Sequence, residues 1–506
     1  MDQFHVSVIL GPIAATTCLA VLLWAVLSYV LRDKEKAGFI VSLFLIPFFS
    51  YENLYDEIRD VVVGLGASRI GTRRGLLVAW AMLFALGTCY LIRTRRNLRN
   101  MTHLANLMSA FLVVMSLINI AAYSLGAGPA WQQSEATQDM EINPAYLDEP
   151  AVLPDIYYII LDGYGRADIL EEVYEYDNTE FLDYLRDKGF YVASKSRSNY
   201  CQTLLSLASA LNLTYLDGLA NRLGTESGSR LPLINMIMSN WVFRFLEQHG
   251  YVIVTYSSGW SGTEIRNADI YMAPRWSLDE FQTQLIGMTP LPFVTRQLGV
   301  YDEYGLHRER ILYAFDHLAD MSELEAPAFV FAHIIAPHPP FVFGQHGEEI
   351  DPDYRFALLD GTHIIRRRRL TRDEYIQGYR QQLIFTGGKT KATIDGILAR
   401  SARPPIIILQ ADHGPGSALD WEDPNNTYFK ERLSILNAYY LPGNGATELY
   451  DTITPVNTFR VIFNHYFGTD YELLDDESYF STISRPYAFT NVTDEMNDDV
   501  GMERPE

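Results

Sequence analysis

The chain has 506 residues, a formal net charge of −22 and 48% hydrophobic residues. Its charge is uneven: residues 1–127 carry 11 Lys and Arg against 7 Asp and Glu, whereas the remainder carries 29 against 55. The acidic remainder disfavours nucleic acid as a partner, because phosphates are bound by basic surface. Of the three cysteines only Cys201 lies in this remainder, so an internal disulfide there is excluded.

The first elements along the chain are long apolar runs at Val6 to Leu31, Leu76 to Ile92 and Leu104 to Leu125. Each is about long enough to cross a bilayer, and a shorter run, Phe39 to Phe49, is a candidate fourth span. Basic residues follow the first run and separate the last two, which predicts that both of these loops are cytoplasmic. We therefore expect a multi-pass region of three or four helices over residues 1–127, in the plasma membrane, with everything after Leu125 on the extracytoplasmic side.

The composition and hydrophobic pattern of the sequence change after this region. Residues 128–154 are polar and proline-rich and are predicted to be a linker. From 155 to 491, short apolar runs (IYYIIL, YVIVTY, FVFAH and IIILQ) alternate with amphipathic stretches, as buried parallel strands and helices do. We expect an α/β domain with a mostly parallel sheet sandwiched by helices, followed by an acidic tail over 492–506.

Polar, titratable residues stand where the predicted strands end. Asp162 follows the first strand, His333 and His338 follow FVFAH, and Asp412 and His413 follow IIILQA. Each has a structural alternative: Asp162 as a helix cap, Asp412-His413-Gly414 as a turn, and the other histidines as core or surface residues. Ligands of open α/β sheets bind beyond the carboxyl ends of the strands. The occurrence of all these polar residues at strand ends therefore predicts a binding site. Carboxylates with imidazole suit Zn²⁺ or Mn²⁺.

The stretch SNYCQTLLSLASALN, residues 198–212, offers several nucleophiles at the predicted start of an apolar helix. Thr203 could be the N-cap of that helix. Alternatively, its hydroxyl could ionise beside a divalent cation and attack a phosphoryl group held by the free N–H groups of the helix.

Four motifs in this order, IILDGYG, SNYCQTLLSLAS, HIIAPHPPF and ADHG, resemble the sulfatase branch of the alkaline phosphatase superfamily over roughly residues 155–465. With the helical anchor in front, the arrangement is similar to lipoteichoic acid synthases and lipid A phosphoethanolamine transferases. The resemblance implies metal ligation by Asp162, Thr203, Asp412 and His413, with Thr203 as nucleophile and His338 as the substrate-contacting histidine. Cys201 lacks the Pro and Arg that a formylglycine precursor requires. The second zinc site of alkaline phosphatases has no convincing counterpart in the sequence.

These residues predict a phosphotransferase that moves a phosphoryl-linked headgroup from a membrane lipid to an envelope glycan, polymer or lipid through a phospho-threonine. One divalent metal ion is implied, with Zn²⁺ or Mn²⁺ favoured over Mg²⁺ or Ca²⁺, and no other cofactor. His338, with His333 as the weaker candidate, would orient the phosphoryl group or protonate the leaving alcohol. Two alternatives remain: hydrolysis of phosphodiesters or sulfate esters, and a non-catalytic surface domain that would be expected to lack ligands.

Overall fold

The computed structural model describes residues 6–64, 72–132 and 153–496, except 276, 301, 353, 355 and 369. The chain divides into two compact units, which we call the helical unit (Gln3–Gln133 with Leu278–Glu303) and the sheet unit (Ser134–Ser277 with Tyr304–Glu506). The segment Leu278–Glu303, although it falls within the range 155–491 predicted as one domain, thus lies with the N-terminal helices. The predicted linker and acidic tail fall largely outside the described residues, so their boundaries stay a prediction.

Five helices come first in the helical unit: α1 Val6–Leu31, α2 Lys34–Phe49, α3 Tyr51–Gly64, α4 Thr72–Arg93 and α5 Arg99–Gln132. Three stretches among the described residues are long and apolar enough to cross a membrane: Ile9–Leu31, Arg73–Arg93 and Arg99–Ile118. A fourth candidate is α2 together with the start of α3, which are bent by 51° at their junction. The expectation of three or four spans is thus matched by length and composition.

Helices α2 and α4 run antiparallel, and hydrogen bonds join α2 and the start of α3 to both ends of α4. At one end, Lys36 Nζ donates to the main-chain oxygens of Ile92 and Thr94, at 3.2 and 2.8 Å. At the other end, the Tyr51 hydroxyl donates to the Arg73 oxygen at 2.7 Å, and the Glu52 carboxylate pairs with the Arg73 guanidinium at 3.1 Å. Helix α2 together with the first residues of α3 therefore reaches from one end of the candidate span α4 to the other.

The sheet unit is built on a seven-stranded sheet in the order β2-β7-β6-β1-β5-β3-β4. Its strands are β1 Ile156–Leu161, β2 Tyr191–Val192, β3 Val252–Tyr256, β4 Ile270–Met272, β5 Ala328–Ile334, β6 Ile406–Gln410 and β7 Asn437–Tyr440. β1, β3, β4, β5 and β6 are parallel, whereas β7 pairs antiparallel with β6 and β2 pairs antiparallel with β7. A separate two-stranded sheet joins β8 Tyr479–Phe480 to β9 Thr490–Asn491. The predicted mostly parallel sheet is confirmed.

Helices cover both faces of this sheet. Along the central strand β1, Tyr157, Ile159 and Leu161 pack into one apolar cluster and the alternate residues pack into a second. This alternation follows from the strand's two-residue period, and a strand buried on both faces reads as a continuous apolar run. The helices that follow α5 are α6 Ala167–Tyr174, α7 Thr179–Asp187, α8 Thr203–Ala210, α9 Asp217–Leu223, α10 Leu231–Met238, α11 Trp241–Gln248, α12 Glu280–Gly287, α13 Leu291–Gln297, α14 Glu303–His317, α15 Thr362–Arg368, α16 Arg372–Arg400, α17 Phe429–Leu433 and α18 Pro455–Phe467.

Candidate metal and phosphoryl-transfer site

Three neighbouring strands deliver the polar residues to one edge of the sheet. Asp162 follows β1 directly, His333 is the penultimate residue of β5, and Asp412 comes two residues after β6. Since β5, β1 and β6 are adjacent and parallel, their carboxyl ends meet at the same edge. The structure therefore brings together residues that are as much as 250 positions apart in the chain.

Asp162, His333 and Asp412 form a buried group that could hold a metal ion, with ligand atoms within 4.8 Å of one another. One atom of each, Asp162 Oδ1, His333 Nε2 and Asp412 Oδ2, is buried without a hydrogen-bond partner. The other Asp412 oxygen accepts from the Gly163 N–H at 3.2 Å. Buried polar atoms in native proteins almost always have partners, so three such atoms in one group fit a cation as their common partner.

The proton positions on His333 follow from its neighbours. His333 Nδ1 lies 2.7 Å from Thr263 Oγ1. Thr263 donates its own proton to Ser258 Oγ at 3.0 Å, and the Ser258 hydroxyl in turn donates to the Trp260 carbonyl at 3.2 Å. Thr263 Oγ1 can then only accept from His333, which places the imidazole proton on Nδ1 and a lone pair on Nε2. This is the usual arrangement of a metal-binding histidine and its outer partner.

His413 is fixed in the same tautomer by a different partner. Its Nδ1 lies 2.9 Å from the Gly414 carbonyl, which can only accept, so the proton is on Nδ1. Its Nε2 therefore presents a lone pair, 3.2 Å from Asp412 Oδ2, 3.6 Å from Asp162 Oδ1 and 3.0 Å from Thr203 Oγ1. Asp162, Thr203 and Asp412, the three residues predicted to bind a metal ion together with His413, thus all lie close to this one nitrogen.

The charges of the site reinforce the tautomers. Burial, together with the Arg432 guanidinium, lowers the pKa of His413, which keeps its imidazole neutral. Burial alone would raise the pKa of Asp162, but the imidazoles of His338, His333 and His413 outweigh it and hold that pKa well below its usual value. Asp162 and Asp412 place two carboxylates in one buried group. Uncompensated buried charge is strongly unfavourable, so this group favours a cation as a partner. The residues present fit a divalent cation, and their oxygen and imidazole donors suit Zn²⁺ or Mn²⁺.

Thr203 is the first residue of α8, and Gln202 is its N-cap. The structural alternative, that Thr203 caps the helix, is therefore wrong. Its hydroxyl instead contacts His413 Nε2, to which it must donate because that nitrogen carries the lone pair. Thr203 is half-buried, whereas Asp162, His333, Asp412 and His413 are at most 3% exposed. It is thus the member of the group that solvent and substrate can reach.

Ser206 has a supporting place one turn later in α8. Its hydroxyl lies 3.2 Å from the Ser198 hydroxyl, and Ser198 Oγ donates to the main-chain oxygen of Asp412. Ser206 is 1% exposed, so it does not face substrate. The three-residue spacing from Thr203 to Ser206 therefore puts one hydroxyl in the site and ties the other to the loop that carries Asp412.

Cys201 is buried in a small apolar cluster with Trp421, Leu433 and Phe480. Burial raises the pKa of its thiol, and the sulfur contacts the main chain of Ser481 at 3.5 Å. A protonated, inaccessible thiol is a packing group, because the thiolate is the reactive form.

Arg432 links both loops of the site, a role that sequence patterns did not reveal. Its Nε donates to the Cys201 oxygen at 2.9 Å, and its Nη1 donates to the Gly414 oxygen at 3.0 Å and to Asp360 Oδ2 at 2.5 Å. Both Arg432 and Asp360 are buried. The guanidinium therefore holds the residues just before Thr203 and just after His413 at a fixed separation.

His338 lies above the group on the loop after β5. Its main-chain N–H donates to the main-chain oxygen of Asp162 at 3.0 Å. Its ring centroid is 6.2 Å from that of His413. Its Nδ1 contacts the Pro339 oxygen, so Nδ1 carries a proton. Its side chain is half-buried. The histidine is thus near the site without belonging to the buried ligand group.

Replacing Arg432 with methionine should lower the free energy of unfolding by about 3–5 kcal/mol, because the Asp360 carboxylate would be left buried without its partner. Chemical unfolding of the full chain in detergent measures the effect. The double variant Arg432→Met with Asp360→Asn should recover part of the loss, since it removes the stranded charge. An additive double variant would contradict the coupling.

Replacing Thr263 with valine should weaken metal binding by about 10–100-fold, because His333 loses the acceptor that fixes its tautomer. Thr263→Ser is the matched control, since it keeps the hydroxyl, and it should bind metal nearly as the wild type does. Competition with a chromogenic chelator measures both affinities. Equal affinity of the valine and serine variants would remove Thr263 from the site.

Comparison with known proteins gives similarity only at the level of structure. No family model matches the chain, and no curated protein matches it. Among solved structures, the zinc-bound periplasmic domain of EptC from Escherichia coli is 11% identical, with a TM-score of 0.43, over 67% of this chain and 92% of that one. The soluble domain of lipooligosaccharide phosphoethanolamine transferase A from Neisseria meningitidis is 14% identical, with a TM-score of 0.37, over 62% and 89%.

A 2-O GAG sulfatase is 13% identical, with a TM-score of 0.40, over 66% of this chain and 74% of that one. Because identities and TM-scores are this low, the chemistry of the site is inferred below from its own residues.

Proposed function

We propose that this protein is a membrane-anchored, metal-dependent phosphotransferase that uses Thr203 as its nucleophile. The observation that carries the proposal is the convergence on one point of the half-buried Thr203 hydroxyl, two imidazole lone pairs and two buried carboxylates. The non-catalytic alternative predicted missing ligands, whereas every predicted ligand is present at this point.

Asp162, Asp412, His413 and Thr203 would hold the divalent ion, and we add His333 to this set. His333 was expected as a weaker acid–base candidate, but its Nδ1 proton is committed to Thr263 and its Nε2 faces the carboxylates. When bound, the ion would favour ionisation of the Thr203 hydroxyl and offset charge on the phosphoryl oxygens.

In the first half-reaction, Thr203 gives up its proton to solvent and its oxygen attacks phosphorus. The bond from phosphorus to the leaving oxygen breaks, and His338 gives that oxygen a proton. In the second half-reaction, an acceptor hydroxyl attacks the same phosphorus and its proton goes to His338. The bond from Thr203 to phosphorus breaks, and the Thr203 oxygen recovers a proton from solvent. His338 is suited to both steps because it is half-buried beside the ligand group.

The helical unit supports a lipid as donor. Candidate spans in the same chain place the protein in the plane of a bilayer, where a phosphodiester headgroup is already concentrated. In this proposal the protein is a multi-pass protein with the sheet unit outside, and the acceptor is an envelope glycan, polymer or lipid.

Mass spectrometry of lipids and envelope glycans, from cells with and without the protein, tests the proposal. A new phosphoryl-linked substituent that is absent with Thr203→Ala would support transfer. Release of the headgroup without an adduct would indicate the hydrolase alternative. Unchanged lipids and glycans, together with no turnover of phosphodiester or sulfate ester by purified full chain, would contradict both.

A further inference from the structure

Two parts of the helical unit expose large apolar side chains outside the three candidate spans. On α3, Leu54, Ile58 and Val61 are 45%, 39% and 62% exposed. Their spacing places them on one face of the helix, and Glu52, Asp56, Glu57 and Arg59 lie outside this face. Helix α3 is thus amphipathic, and its charges are unsuited to a bilayer core.

The second part is the segment Leu278–Glu303, which contains α12 and α13. Leu298 and Val300 at its end are 69% and 75% exposed, and Leu291 is 40% exposed. It has polar contacts within itself: Asp279 and Gln282 form a capping box, and the Arg296 guanidinium pairs with Asp302 at 3.3 Å. The segment therefore combines an ordered polar side with uncovered apolar residues.

A main-chain hydrogen bond joins the two parts. The N–H of Glu52, at the start of α3, donates to the main-chain oxygen of Met288, between α12 and α13, at 3.2 Å. By sequence the segment leaves the sheet unit after Ser277 and returns to it at Tyr304, yet it belongs to the helical unit. The exposed residues of α3 and of the segment thus sit on one compact body.

The contacts between α2 and α4 show at which end of the candidate spans Glu52 and Met288 lie. Lys36 contacts the Ile92 and Thr94 end of α4, next to the basic run RTRRNLR, whereas Glu52 contacts Arg73 at the opposite end. The basic run marks the cytoplasmic side. Glu52, and with it Met288, therefore lies at the extracytoplasmic end of the spans, and α2 counts as a crossing.

We propose that α3 and Leu278–Glu303 form one interfacial surface that lies in the outer leaflet at the headgroup level. Its apolar residues, Leu54, Ile58, Val61, Leu291, Leu298 and Val300, would enter the lipid. Lipid is favoured over a protein partner because the surface is continuous with helices that are themselves exposed to lipid, at the level where amphipathic helices bind. The proposal is independent of the reaction, since it rests on no residue of the metal site.

Depth-dependent quenching tests the surface in full-length protein reconstituted in phosphatidylcholine vesicles. In a Cys18→Ser, Cys89→Ser background, Leu298→Cys and Ile58→Cys would carry an NBD fluorophore. The matched control is Leu473→Cys, because Leu473 is an apolar residue of the sheet unit that is 41% exposed, close to the 39% of Ile58. Cys201 is 0% exposed and stays in place.

The fluorophores at 298 and 58 should be quenched several-fold more strongly by lipid that carries a doxyl group near its ester linkage than the fluorophore at 473. The fluorophore at 473 should instead respond to iodide in the water. If position 298 behaves as position 473 does, the proposal is overturned. If position 298 is shielded from both quenchers, a second protein copy covers it, and the lipid assignment is wrong.

Discussion

Thr203→Ala is expected to abolish turnover of a phosphodiester by the full chain, with a loss of at least about 10³-fold in kcat, because it removes the hydroxyl that forms the covalent phosphoryl intermediate. Thr203→Ser should keep measurable activity, since it retains a hydroxyl at the start of α8. Initial rates with a chromogenic phosphodiester, at saturating Zn²⁺ or Mn²⁺, make the measurement.

Two controls separate loss of the nucleophile from loss of the fold. Cys201→Ala should keep most of the activity, because the thiol lies in an apolar cluster away from the ligand group and the change removes a single sulfur atom. Thr203→Ala should still bind metal through the two carboxylates and two imidazoles. Full activity of Thr203→Ala together with loss in Cys201→Ala would reverse the assignment of the nucleophile.

The second large effect concerns the metal. Removing it with a chelator should abolish turnover and also lower the melting temperature of the full chain, because the Asp162 and Asp412 carboxylates lose their counter-charge. A bound ion stabilises the folded state by about 2.7 kcal/mol at a free concentration one hundred times its Kd. Differential scanning fluorimetry during titration with Zn²⁺, Mn²⁺, Mg²⁺ and Ca²⁺ measures the shift and ranks the ions.

Asp412→Asn is the informative variant in this experiment. It removes one buried negative charge while keeping the side chain's size, so its melting temperature should depend much less on added metal, and its activity should fall with its affinity. Asp320→Asn is a matched control, since Asp320 is a surface acid that pairs with the exposed Arg400. A metal-dependent shift that survives in Asp412→Asn would contradict the proposed ligand set.

The sequence predicted the strands that carry this site, and the reason is physical. β1, β5 and β6 are buried on both faces, so they read as continuous apolar runs, and IYYIIL and IIILQ match the observed strands residue for residue. Asp162 and Asp412 stand out because a carboxylate directly after such a run is conspicuous. Helices α7 and α11 are followed, two residues beyond their last residues, by Gly189 and Gly250, whose φ values of +92° and +80° explain the choice of glycine.

The remaining parts of the site depend on contacts that no local pattern encodes. The tautomer of His333 is set by Thr263, 70 residues away, through a serine and a main-chain carbonyl. Arg432 acts on Cys201 from 231 positions along the chain. The segment Leu278–Glu303 reads as an ordinary helical stretch of an α/β domain, and only its packing with the N-terminal helices reveals where it belongs.

The position of β1 between β5 and β6 has a consequence for how the protein matures. The three ligand-bearing strands come from early, middle and late parts of the sheet unit, so no short fragment of the chain holds all of the proposed ligands. Pairings this distant in sequence form slowly. We therefore expect metal loading to be the closing step of folding, and the availability of the ion outside the spans to decide how much of the finished chain becomes active.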